Sequence, residues 1–262
     1  MNMQIQLALS TVVIPLALSF IVQKLGVSNK IFIAPGIFIA WLVSYLWIAG
    51  IPSVPPKEAI QWTVWLAAAF VLINFVINKS EVALVFIQFL LSLLGIVFVA
   101  WPVLSHSADA LFYAELIFFV VISGLVAYRL SNTKPVTPAL SLAISNGGVA
   151  IVAGLGGSLL MGQLAAVLAS AIGAFALYEI YKKLTETQLN KSAILLLVLL
   201  SLLLLLTARI YAELSLISVV LLALSLLLGM VIKSRYASVF SLIGVISSIA
   251  YLLLTSDQSS YY

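Results

Sequence analysis

Residues 193–209 read Ala-Ile-Leu-Leu-Leu-Val-Leu-Leu-Ser-Leu-Leu-Leu-Leu-Leu-Thr-Ala-Arg. As a helix this run rises about 25 Å at 1.5 Å per residue, close to the roughly 30 Å hydrocarbon core of a bilayer. Similar runs extend in both directions, separated by short breaks that carry charge, proline or glycine. They give spans at 3–22, 31–49, 60–77, 82–103, 110–128, 139–160, 163–181, 193–209, 214–232 and 237–255. The sixth and seventh are parted at Met161-Gly162-Gln163. The expected fold is all-α: a polytopic integral membrane helix bundle of about ten transmembrane helices with short loops, in a single domain covering 1–262.

Composition agrees. Hydrophobic residues make up 64% of the chain and charged residues 8%, against roughly 45–50% and about 25% in soluble globular domains. A water-soluble core has no use for that much apolar surface. The net charge of +4 comes from Lys and Arg in short inter-span loops rather than on one amphipathic face. It therefore reports membrane orientation, and no nucleic-acid partner is expected. Cysteine is absent and His106 is the only histidine, which excludes disulfides, thiol catalysis and Cys or multi-His metal sites. No cofactor is expected, and the scarcity of intramembrane acids and histidines argues against an enzyme.

Charge asymmetry tests the span count independently, because cytoplasmic loops collect Lys and Arg. The odd-numbered loops hold Lys24, Lys30, Lys79, Arg129, Lys134, Lys182, Lys183, Lys191, Lys233 and Arg235, leaving only Lys57 and Arg209 to the even ones. One span wrongly added or dropped would blur that segregation. The expected location is a bacterial inner or other cytoplasmic membrane, with odd loops inside and both termini outside. Trp47, Trp62, Trp65 and Trp101 fall near the outer interface that indoles favour, while Trp41 lies deeper. Ala17-Leu18-Ser19 resembles a cleavage site, but no positive charge precedes the first apolar run, so that run reads as a retained span. Pro15 and Pro35 read as kinks. No matching landmarks support a five-plus-five inverted repeat.

Ionisable and amide side chains inside a bilayer are functional candidates. Glu115 stands about five residues below the outer end of span five. It reads either as a proton- or cation-binding carboxylate in a vestibule or as an interfacial acid held by Arg209, Lys57 or Tyr113. Asn74, Gln88 and Asn146 all fall in the inner third, where they could bridge helices or line a solute path. Asn146-Gly147-Gly148 could also break its helix. Glu179 with Lys182 and Lys183, and Arg209 with Glu213, have the spacing of intrahelical ion pairs. His106, between Ser105 and Ser107 near Asp109, reads as a solvated loop histidine.

Small residues recur at four- and three-residue steps in spans six and seven. They are Ala139, Ala143, Gly147, Ala150 and Gly154, then Gly162, Ala166, Ala169, Gly173 and Ala176. Such stripes let helix backbones approach closely in lipid. The expectation is a hairpin whose small faces meet, with leucine disruptive at Gly154 or Gly173 and mild at Ala171. Two functions fit: a non-catalytic structural or partner-binding subunit of a membrane complex, or a small-solute or ion transporter. The partners expected are the lipid bilayer and a membrane-embedded protein or a second copy of the chain.

Overall fold

The computed structural model describes residues 3–26, 30–77, 80–106, 108–132, 139–182, 189–231 and 236–256. Lys79, Lys134, Lys183, Lys233 and Arg235 of the charge reading lie outside the described residues, as does Ser107. Among the described residues the chain is a bundle of helices without a strand.

Helix α1 covers residues 3–26, α2 Ile33–Ala49, α3 Ala59–Val76, α4 Glu81–Leu104 and α5 Ala110–Asn132. The rest are α6 Ala139–Leu155, α7 Leu159–Tyr181, α8 Lys191–Tyr211, α9 Leu216–Val231 and α10 Ala237–Ser256. Eight of these are long and apolar enough to cross a membrane. The other two, α6 with 17 residues and α9 with 16, are apolar but shorter.

The break between α6 and α7 falls earlier than the expected Met161-Gly162-Gln163. Gly157 adopts φ +99°, and the Ser158 side chain accepts a hydrogen bond from Met161 N to cap α7. Glycine enters that left-handed region without a Cβ penalty and serine is a preferred N-cap, so the turn forms at Gly156-Gly157-Ser158. Asn146, Gly147 and Gly148 sit inside an unbroken helix. The two prolines sit differently in their helices. Pro15 follows a π-helical stretch, Leu9–Val13, in which the register shifts before the residue that lacks an N–H. Pro35 lies in the first turn of α2, where proline is tolerated.

Helix α8 is the axis. It touches α2, α3, α4, α5, α9, α6 and α7, and these form a closed ring in that order, each against the next and α7 against α2. Every side chain from Ser192 to Ala208 is buried. Outside the ring, α1 packs on α2 and α7, and α10 packs on α9 and α6. The outward surface carries Leu72, Phe86, Ile117, Ile151, Leu177 and Ile246. The five-plus-five repeat finds no counterpart here, because α3, the partner α8 would have, stands in the ring.

Alternate loops share an end. At one, Asn190 Nδ2 donates to Lys30 O at 2.8 Å, Lys191 pairs with Glu81 at 2.8 Å, and Ala139 N donates to Glu179. At the other, Arg209 meets Glu115 and Tyr211 Oη donates to Val99 O at 3.0 Å. That second end carries exposed Trp47, Trp65 and Trp101, with Trp62 stacked on Phe98 at 4.1 Å. Trp41 is fully buried.

Buried serines fasten the C-terminal hairpin to α6. Ser225 Oγ donates to Ser241 O and Ser241 Oγ to Ser225 O, while Ser145 and Ser225 hydroxyls meet at 2.9 Å. A Cβ on Gly244 would stand 2.9 Å from that of Ser225. Small and hydroxylated residues thus bring α9 and α10 to backbone contact.

Candidate functional site

Glu115 reaches the site because α5 begins at Ala110 and turns this residue inward against the last turn of α8. Asp109 fixes that start, its carboxylate accepting from Phe112 N at 2.7 Å. Glu115 is 4% exposed, and its two oxygens accept from Arg209 Nε at 2.9 Å and Nη2 at 2.6 Å. Arg209 Nη1 donates to Leu214 O at 2.7 Å. The pair joins α5, α8 and the α8–α9 connection, and both charges are matched by the bidentate geometry that guanidinium and carboxylate favour. Of the three partners the sequence offered, the structure selects Arg209.

Arg209 does not pair with Glu213 as the four-residue spacing suggested. Helix α8 ends at Tyr211, so Glu213 is off the helix, with φ +50°. Val103, Phe112, Glu115, Arg209, Ile210 and Glu213 surround a cleft of about 170 Å³.

Asn146, Asn74 and Gln88 are all buried, but they do not form the expected amide cluster. Asn146 Nδ2 donates to Leu142 O of its own helix and its Oδ1 accepts from Ser201 Oγ on α8, at 2.9 Å each. Ser201, the one polar interruption in the leucine run, was the available signal for this partner. A cavity of about 10 Å³ touches both residues, with Ser145, Val149, Leu205, Leu222 and Leu226. That is the lower limit for one water. Gln88 Nε2 donates to Ser92 within α4, while Gln88 Oε1 and Asn74 Nδ2 have no hydrogen-bond partner. Equal depth therefore did not imply contact: Gln88 turns to its own helix, Asn146 to its own helix and α8, and Asn74 Nδ2 is left unpaired.

The α6–α7 hairpin is the most extensive helix contact in the described structure. Its small-residue faces meet where Gly162 enters: a Cβ there would lie 2.9 Å from Ala150 O and 3.1 Å from Gly154 Cα. Elsewhere the stripe positions differ in burial, with Ala139 and Ala176 buried. Ala143, Ala166 and Ala169 are half-buried, and a Cβ added to Gly147, Gly154 or Gly173 would meet nothing within 4 Å. Ala171, expected on a tolerant face, is fully buried.

Glu179 is buried and its carboxylate faces the first N–H of α6, where a negative charge meets the helix dipole. Of its two expected partners, Lys182 stands over the Tyr181 ring at 5.5 Å, and Lys183 lies outside the described residues. His106 is exposed, with Nδ1 2.6 Å from Ser105 Oγ and 3.1 Å from Pro102 O, while Asp109 is engaged as the α5 cap. These are local turn bonds rather than a triad. Among the described residues no group of three or more His, Cys, Asp or Glu side chains could hold a metal ion.

Comparison with family models, with curated proteins and with solved structures returned no match for this chain.

Proposed function

We propose that this multi-pass membrane protein is a non-catalytic subunit that acts by binding a partner within the bilayer. The supporting observation is the filled axis: the place where a ring of helices could enclose a path is occupied by α8, buried from Ser192 to Ala208. The intramembrane carboxylate on α5 is already matched by Arg209. A partner-binding role suits a chain whose mass lies almost wholly within its apolar helices. In this reading the loops rich in Lys and Arg face the cytoplasm and both termini face outside, following the charge asymmetry. The membrane is a bacterial inner membrane or another cytoplasmic membrane.

The transport reading draws on one observation, the contact of Asn146 and Ser201 beside a small cavity between α6, α8 and α9. The test is to extract the protein from native membranes in mild detergent and to reconstitute the purified chain in ion-loaded vesicles. A stoichiometric membrane protein is expected to co-purify, and the vesicles are expected to hold their proton and sodium gradients. A solitary chain that collapses either gradient overturns the subunit proposal.

A further inference from the structure

We propose that the cleft at the tryptophan-bearing end binds an alkylammonium group, held by Glu213 and the rim of the Glu115–Arg209 pair. The charge balance selects the ligand. Arg209 directs Nε and Nη2 to Glu115 and Nη1 to Leu214 O, so its positive charge is committed. Glu213 is exposed and has no hydrogen-bond or ion-pair partner among the described residues. The lining therefore carries an uncompensated negative charge, which disfavours carboxylates and phosphates.

The rest of the wall is apolar. Val103, Phe112 and Ile210 complete a cleft of about 170 Å³, large enough for several carbon atoms besides the charged head. A bare divalent ion fits poorly, because calcium takes six to eight oxygen ligands and this cleft has two carboxylates, one of them already chelated by arginine. A primary ammonium needs fewer acceptors, gains from a neighbouring aromatic ring, and can lay its carbon chain along the apolar side. A free alkylamine and the ammonium of an aminophospholipid headgroup present the same chemistry.

The test uses the full chain in detergent and its Glu213→Gln variant, with Glu58→Gln as an exposed acidic control away from the cleft. Butylammonium chloride, sodium butyrate and n-butanol are titrated while the thermal midpoint is followed. Butylammonium is expected to raise the midpoint of the parent and of Glu58→Gln, with an apparent affinity at least tenfold weaker in Glu213→Gln. Butyrate and butanol should give no saturable shift. Equal responses in parent and Glu213→Gln, or a butanol effect as large as that of butylammonium, overturn the site. Mass spectrometry of co-purified lipid then separates the sources. Aminophospholipid enriched on the parent relative to Glu213→Gln identifies a headgroup, and equal lipid with a retained amine shift identifies a free amine. The absence of both lipid enrichment and amine shift refutes the proposal.

Discussion

Glu115 and Arg209, 94 residues apart in sequence, form a two-pronged ion pair whose acid is almost fully buried, with contacts of 2.6 and 2.9 Å. Because Arg209 also bonds Leu214 O, one guanidinium fixes α5, α8 and the start of the segment that leads into α9. Removing one partner leaves the other charge stranded, which in buried pairs costs on the order of 3–5 kcal/mol. Arg209 is 25% exposed by side chain, so solvent reduces that figure. Glu115→Gln and Arg209→Met should each destabilise the protein by about 2 kcal/mol, and the double variant by clearly less than the sum. Chemical denaturation in detergent measures both; strict additivity would show that the pair contributes nothing.

At the hairpin, the open and closed glycines predict opposite outcomes. Gly162→Leu forces a side chain against Ala150 O and Gly154 and should cost about 1–3 kcal/mol or prevent folding. Gly173→Ala meets open space and, by helix propensity, should stabilise by up to about 1 kcal/mol. Ala171→Leu, in a fully buried position, should resemble Gly162→Leu. Thermal midpoints of the three variants decide. A tolerant Gly162 together with a sensitive Gly173 would mean that the helices face each other differently.

The inner amides divide in the same way. Asn146→Leu removes the bond to Ser201 Oγ, which keeps Leu197 O as acceptor, and the bond to Leu142 O, and should cost about 1 kcal/mol, between the average of about 0.6 and maximum of about 1.7 measured for such bonds in membrane helices. Asn74→Leu deletes an amide whose Nδ2 is unpaired and should be neutral or stabilising. If Asn74→Leu proves the more harmful of the two, Asn74 has a partner the structure does not contain.

Orientation is testable because the chain has no native cysteine. Single cysteines at Ser53 and Glu213 should react with an impermeant maleimide on intact cells, whereas those at Lys30 and Lys182 should react only after permeabilisation. The reverse pattern would invert the proposed topology.

The sequence by itself determined the helices and their alternation. Apolar runs of bilayer length, separated by breakers and sorted by basic charge, left little freedom in span number, and the described helices follow the expected spans closely. Gly157 and Ser158 even carry the signal for the α6–α7 turn, a few residues before Met161-Gly162-Gln163. What the sequence could not decide was which helix lies where. In a bilayer a leucine is equally at home against lipid and against another helix, so hydropathy did not mark α8, the most leucine-rich span, as the axis rather than the rim. The same degeneracy hid the faces. Gly173 and Ala171 are both small residues in one apolar helix, and only packing made one half-buried and open and the other fully buried. Polar partners were equally beyond reach. Depth suggested that Asn74, Gln88 and Asn146 could meet, but azimuth around each helix decides contact, and azimuth is set by the ring. Tertiary structure alone therefore chose Ser201 for Asn146 and Arg209 for Glu115, and it left Glu213 facing a cleft without a partner of its own.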